Sequence, residues 1–198
     1  GLVGSEMCIR DRIYIENNKF ENDDVLFTFL MSYKENEIKT RTNLFGHITA
    51  SAFIINENKD EALLIYHNKY NKWLSPGGHI EEGETCQQAS FRETKEEVGL
   101  ENLNLCSNEI FDIDVHRIPE KIKNGIVEPE HWHFDIRYLY QTNKENNLTI
   151  DTKEVNEYKW YKIEDLKNEK DSSISRMANK VEDRYKEQYN TRKKTSYR

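Results

Sequence analysis

Cysteine, proline and glycine are scarce in this chain of 198 residues: three, three and eight respectively. Cys8, Cys86 and Cys106 form no Cys-x-x-Cys pair. That excludes a disulfide framework and a thiolate zinc site, and it fits a reducing, cytoplasmic setting. With so little proline and glycine there is no flexible linker, and no repeat is visible. No apolar run approaches the roughly 20 residues of a membrane span. Residues 1–12 also lack the apolar stretch of about 7–15 residues that a secretory signal needs. Positive charge is in the minority, 29 Lys and Arg against 36 Asp and Glu, for a net charge of −7. An acidic protein repels a polyphosphate backbone, so a nucleic-acid polymer is not the expected partner. A small phosphorylated ligand stays compatible if divalent cations screen the charge.

What is present suits one ordinary domain with short extensions. Hydrophobic residues make up 36% and charged residues 33%, and 11 Tyr, 8 Phe and 3 Trp supply core volume. The opening Gly-Leu-Val-Gly-Ser-Glu-Met-Cys-Ile-Arg-Asp-Arg resembles a translated sequencing adaptor, so residues 1–12 are set apart. Residues 13–46 read as an N-terminal helical extension. Within it Val25, Leu26, Phe29, Leu30 and Tyr33 have helical spacing over 23–33. Residues 47–189 read as the main domain, and 190–198, with Arg192, Lys193, Lys194 and Arg198, as a disordered basic tail.

Strands are expected at 47–55 and 62–66, joined as a hairpin by a turn at 56–60. Residues 73–83 read as a loop around Pro76-Gly77-Gly78. Alternation predicts further strands at 111–116 and 132–140, with a short one at 158–161. A helical turn is expected at 163–166 and a polar helix at 173–189. Mixed strands and helices make the class α/β, a sheet flanked by helices.

Residues 78–100 carry the chemistry. Thr85 and Gln88 have capping-box spacing, the helix they open runs to about Val98, and Gly99 stops it. Glu93 and Glu97 are one turn apart and Glu93 and Glu96 three residues apart, so these acids share a face. Like charges so placed repel by a few tenths of a kcal/mol each when exposed. Hard oxygen donors in such a group suit Mg²⁺ or Mn²⁺. Gly77 and Gly78 permit a tight path that can turn a carbonyl toward a cation, and Glu84 can steady Arg92. A Glu-rich helix in general is only a solvated face. Here Gly78, Glu84, Arg92, Glu93, Glu96, Glu97, Gly99 and Leu100 fill every fixed place of one pattern: Gly, five residues, Glu, seven residues, Arg-Glu, two residues, Glu-Glu, one residue, Gly, aliphatic.

That segment resembles the Nudix box, with Thr94 as a mild departure where an aliphatic residue is usual. The segments from Gly46 (GHITASA), Trp73 (WLSPGGH), Asp112 (DIDVH) and His131 (HWHFD) resemble one group of bacterial Nudix proteins. Glu154-Val155 before Trp160 resembles a family element whose acid assists as base or extra ligand. The likeness spans about 47–166. It implies the Nudix fold, a mixed β-sheet sandwiched between α-helices (α/β/α). It also implies Mg²⁺- or Mn²⁺-dependent hydrolysis of a nucleoside diphosphate linked to another moiety. By position it makes Glu93, Glu96, Glu97 and the Gly78 carbonyl metal ligands, and Arg92 and Glu84 orienting partners. Glu93, then Glu154, is the expected general base.

Around the box, His79, Trp73, His131, His133 and Asp135 are candidates for substrate binding. His131, His133 and Asp135 share one strand face, and Asp112, Asp114 and His116 share another. If the strands are neighbours, three readings stand: a second metal site, phosphate or ribose recognition, or a solvent-facing sheet surface. Trp73 and Tyr70 can stack a base, although Trp73 suits a core equally. Trp132 and Trp160 read as core, and Cys86 as a small packing residue. The expected partner is a small nucleotide-type substrate, with neither nucleic-acid polymer nor membrane, and a homodimer is allowed. Two alternatives are weighed. Isopentenyl diphosphate isomerase-like chemistry needs a Cys-x-His-Pro segment, which is missing. A non-catalytic nucleotide sensor normally has a degraded box or an added DNA-binding domain.

Overall fold

The computed structural model describes residues 23–123 and 125–195. The sequence expectations for residues 1–12 and 13–22 lie outside these. In chain order the elements are α1 (Asp23–Ser32), α2 (Glu35–Ile38), β1 (Gly46–Asn56), β2 (Glu61–His67), β3 (Lys72–Leu74), β4 (Gly77–His79), α3 (Cys86–Val98), β5 (Asn104–Leu105), β6 (Asp112–Ile118), β7 (Lys121–Lys123), β8 (Ile126–Glu128), β9 (His131–Thr142), β10 (Val155–Lys162), α4 (Ile163–Leu166) and α5 (Ser172–Thr195). The chain divides into two compact units. One takes the described residues up to Ala52, Gly77–Thr94 and Ser107–Leu139; the other takes Phe53–Pro76, Lys95–Cys106 and the chain from Tyr140 on. Strands β1 and β9 and helix α3 run through both. Each unit mixes strands with helices, as the α/β reading requires.

In the first unit β6 lies antiparallel to β9, with Asp112 opposite Arg137, Asp114 opposite Asp135 and His116 opposite His133. The two polar strand faces seen in the sequence are therefore neighbours. The start of β1 pairs antiparallel with β4, Thr49 opposite His79 and Ser51 opposite Gly77. Leu26 and Phe29 of α1 are buried, and Phe29 stacks on Phe134 at 4.2 Å between ring centroids. The expected helical stripe thus finds its partner on β9.

In the second unit β2 pairs with β10, with β3 and with the end of β1, all antiparallel. The β1–β2 turn is built by Asn56, whose side-chain oxygen accepts the N–H groups of Asp60 and Glu61. Lys59 takes a left-handed φ of 63° there. The core is β-branched and aliphatic: Ile54, Ile55, Leu63, Leu64 and Ile65 are all shielded from solvent. Ile174, Met177, Ala178 and Val181 of α5 are buried too.

Several expectations are corrected. The segment 73–83 is not one loop, because backbone pairing to β2 and β1 draws 72–74 and 77–79 into short strands. Such pieces are too short to show alternation. For the same reason α2, β5 and the β7–β8 hairpin were not foreseen. Helix α5 reaches Thr195, past Tyr189, and so takes in most of the segment read as a tail. Trp132 and Trp160 are only partly buried; the Arg117 guanidinium covers the Trp132 ring at 4.9 Å. No helix among the described residues is long and apolar enough to cross a membrane.

Asp171 caps α5. Its carboxylate accepts the N–H groups of Ser173 and Ile174 and the Ser173 hydroxyl. Burial works to raise its pKa. Those hydrogen bonds and nearby Lys72 outweigh burial and hold it below the usual value. A carboxyl whose folded pKa is lowered stabilises the fold above its unfolded pKa, and that stability is lost as pH falls through the folded value. Asp171→Ala is expected to cost about 1 kcal/mol at pH 7 in urea unfolding. The gap between variant and wild type should close in acid, below the carboxylate range.

Candidate functional site

Helix α3 is cut to length by its ends. Thr85 and Gln88 form the expected capping box: the Thr85 N–H donates to Gln88 Oε1 at 2.9 Å, and the Gln88 N–H to Thr85 Oγ1 at 3.2 Å. At the other end Gly99 takes φ +67° and returns its N–H to the Lys95 carbonyl. The terminal carbonyls of Glu97 and Val98 accept the N–H groups of Asp151 and Thr149. Thr94, the departure from the box, is fully buried, and its hydroxyl is satisfied by the Ser90 carbonyl at 2.8 Å.

In the first unit the box assembles around Arg92. Its Nε donates to Glu84 Oε1 at 2.8 Å and its Nη2 to Glu84 Oε2 at 3.0 Å, a two-pronged ion pair. Nη2 also donates to the His79 carbonyl at 2.8 Å, and Nη1 to Glu93 Oε1 at 3.0 Å. The bond to Arg92 holds the Glu84 carboxyl below the usual range. Bonding to Glu84 likewise raises the Arg92 guanidinium further. The Glu93 carboxylate lies against the backbone of Gly78: a Cβ there would stand 2.5 Å from it. Glycine at position 78 is what lets the acid approach the loop.

In the second unit the tie from Asp151 to the helix end brings the following turn along. Glu154 donates its N–H to the Asp151 carbonyl, and its own carbonyl accepts the Asn68 N–H. Glu97, only 2% exposed, then lies with Glu154 and His67, their ligand atoms all within 4.8 Å of one another. His67 was not singled out from the sequence. Its Nδ1 accepts the Lys69 N–H, which leaves the ring proton on Nε2, 3.8 Å from Glu97 Oε1. In that tautomer His67 faces the carboxylate as a donor. Glu96 is exposed.

The polar face of β9 is closed to solvent, against one of the three readings there, while on β6 the Asp114 and His116 side chains remain 20% and 40% exposed. His131, His133, Asp135 and Arg137 are each at most 8% exposed. Arg137 is the centre of one group. Its Nε donates to Asp135 at 2.8 Å, and its terminal nitrogens lie 3.5 Å from Asp112 and 3.4 Å from Asp114. Burial works to lower the Arg137 pKa, and Asp114, Asp135 and Asp112 together reverse that and raise it. Asp135 also accepts the Thr49 hydroxyl at 3.0 Å and the Ser51 hydroxyl at 2.8 Å.

The other group is histidine. His133 has rings around it at 4.7 Å (His47), 5.3 Å (His79), 5.5 Å (His116) and 5.1 Å (His131). His47 was passed over in the sequence. The signal was there: His47, Thr49 and Ser51 alternate along β1 and so share a face. Burial, then His131 and Arg41, push the His47 pKa down to about 4. Burial, then the neighbouring histidines, push His133 down as well. Both rings are neutral near pH 7. Trp73 makes edge contacts with Tyr66 at 5.5 Å and Tyr161 at 5.3 Å, an aromatic group on the β2, β3 and β10 strands of the second unit.

Comparison with known proteins bears on this geometry. The family model for the NUDIX domain matches residues 46–180. The chain is 29% identical over 121 residues to the RNA pyrophosphohydrolase of Pelagibacter ubique (strain HTCC1062), covering 55% of this chain and 73% of that protein. It is 28% identical over 128 residues to a probable DHNTP pyrophosphohydrolase of Lactococcus lactis subsp. cremoris (strain MG1363), covering 63% and 73%. A crystal structure of a NUDIX-family hydrolase from Clostridium perfringens superposes with a TM-score of 0.51 at 29% identity, over 69% of this chain and 96% of that one.

Removing Arg137 would leave Asp112 and Asp135 buried without their cation. Arg137→Met is expected to destabilise the protein by about 3–5 kcal/mol in urea unfolding. A loss below about 1 kcal/mol would show that the aspartates need no counter-charge.

Proposed function

We propose, from the premise that this chain belongs to the NUDIX family and is a hydrolase, that it cleaves the diphosphate linkage of a small nucleoside diphosphate derivative with the help of Mg²⁺ or Mn²⁺. The observation that carries the reading is the Arg92 clamp, which fixes the Glu93 carboxylate against Gly78. The residues fit a hard divalent cation. A Cβ at position 78 would stand 2.5 Å from the Glu93 carboxylate, so glycine there admits that acid against the loop, and the Glu97 carboxylate is withdrawn from solvent beside Glu154. Glu93, Glu96, Glu97 and the Gly78 carbonyl would hold the cation, with Glu154 a further oxygen donor. When bound, the cation neutralises charge on the phosphate oxygens and makes a coordinated water more acidic.

The side chains supply the rest. Arg92, tied to Glu84, keeps Glu93 in one rotamer and also holds the loop through the His79 carbonyl. A base fixed in that way can take the proton of the attacking water without reorganising. Glu93 is the first candidate for that role and Glu154 the second. His67 Nε2 stands 3.8 Å from Glu97 Oε1, beyond hydrogen-bond distance, and adds a polar neighbour on that side of the carboxylate. The reaction type is supported by two relatives named as pyrophosphohydrolases. The net charge of −7 favours a small substrate over a polymer. His79, His131, His133, Asp135 and Trp73 are proposed to contact it. Asp135 would do so indirectly, because its oxygens already bind Ser51, Thr49 and Arg137.

The test is a panel of nucleoside triphosphates, dinucleotides and ADP-ribose incubated with Mg²⁺, with released phosphate, pyrophosphate and mononucleotide measured. Glu97→Gln should lose roughly 10²-fold or more in kcat and keep its unfolding midpoint. Wild-type turnover by that variant would overturn the assignment. Gly78→Ala gives an independent reading. Its added methyl displaces only the end of the flexible Glu93 side chain, so the fold should survive while kcat falls about as far. If Gly78→Ala turns over normally, the position of Glu93 against the loop has no catalytic meaning.

A further inference from the structure

Five histidines stand apart in donor chemistry from the carboxylates of the box. His47 comes from β1, His79 from the end of β4, and His131 and His133 from β9, with His116 opposite His133 on β6. Three of them, His47, His79 and His133, each place a ring nitrogen within 4.8 Å of the other two. His47 is 2% exposed, and neither of its ring nitrogens has a hydrogen-bond partner. A buried polar atom left unsatisfied costs about 1–3 kcal/mol, so an imidazole in that state implies something for its lone pair to bind.

We propose that His47, His79 and His133 form a three-imidazole site for a borderline transition-metal ion of the Zn²⁺ class, separate in donor chemistry from the carboxylates of α3. Three observations converge on it. The donors are all nitrogen, and imidazole suits Zn²⁺, Co²⁺, Ni²⁺ or Cu²⁺, whereas Mg²⁺ and Mn²⁺ prefer oxygen. Burial is the second: His47 is 2% and His133 6% exposed, which disfavours the charged form of both rings. The third is outer-shell support. His131 Nδ1 donates to the Pro129 carbonyl at 2.8 Å, which leaves its Nε2 to accept from His133 Nε2 at 3.3 Å. That chain fixes His133 with its proton on Nε2 and a lone pair on Nδ1. Such second partners are a regular feature of metal-binding histidines. All three ligands stand on or at the ends of paired strands, and a bound ion would draw their nitrogens in to metal–nitrogen distances of about 2 Å. Three protein ligands leave a fourth position open, as in sites that bind water or a ligand oxygen.

The competing occupant of this space is nothing at all, a packed cluster of neutral rings. The full chain, uniformly ¹⁵N-labelled and stripped of metal, separates the two without any substitution. One equivalent of Zn²⁺ should shift the ring nitrogens of His47, His79 and His133 in long-range ¹H–¹⁵N spectra, while Mg²⁺ leaves them in place. No shift at one equivalent overturns the proposal, and so does a shift confined to His67, which would put the ion at the Glu97–Glu154 group. Co²⁺ gives a second measurement, because three nitrogens with one open position produce an intense visible absorption. His133→Ala should weaken Co²⁺ binding about tenfold or more, and Glu97→Gln should leave it unchanged. Equal Co²⁺ affinity in wild type and His133→Ala overturns the site, and so does loss of the absorption in Glu97→Gln.

Discussion

Negative charge has to be held still before it can do chemistry, and in this protein Arg92 holds it. Helix α3 gathers carboxylates that repel one another. The guanidinium answers three oxygen groups at once: both oxygens of Glu84, one oxygen of Glu93 and the His79 carbonyl. Lysine carries the same charge but offers one point where arginine offers a planar fork, so it could not span loop and helix together. Gly78 completes the arrangement by having no side chain where the Glu93 carboxylate lies. Gly78, Glu84 and Arg92 together hold the Glu93 carboxylate in one place.

The same logic, applied to buried charge, shapes the strands. Arg137 stands among three aspartates, and Asp135 spreads its load onto Thr49 and Ser51. Charge is permitted there because almost every oxygen has a donor. One step along the same strand faces the side chains change to histidine, whose charged form burial disfavours. Register decides this succession: Arg137 with Asp112, Asp135 with Asp114, His133 with His116. A slip by one residue would put every one of these groups on the opposite face.

How much of this could be read from the sequence depended on how local the spacing was. The helix, its caps and the Glu84–Arg92 pairing were legible because all lie within one turn-by-turn pattern. Even the odd Thr94 is explained locally, by a hydroxyl bonded one turn back. The neighbouring of the two polar strand faces was visible only as a condition, since a sequence shows which residues share a face and not which strands meet. His47 and His67 escaped for that reason. His67 gains meaning from Glu97 and Glu154, 30 and 87 positions further on, through backbone bonds from Thr149 and Asp151 to the helix end. The short strands β3 and β4 escaped because three residues cannot display a period.

Donor chemistry also separates what two metals could do in one chain. The α3 group is oxygen throughout, with His67 turned to it as a proton donor. The β1–β4–β9 group is nitrogen throughout, and its acids are already committed to Arg137, Thr49 and Ser51. A soft or borderline ion gains little from the first set, and Mg²⁺ gains little from the second. Selectivity of this kind needs no gate or carrier. It follows from which side chains the strand register leaves facing one another, and from Arg137 keeping Asp135 away from the imidazoles beside it.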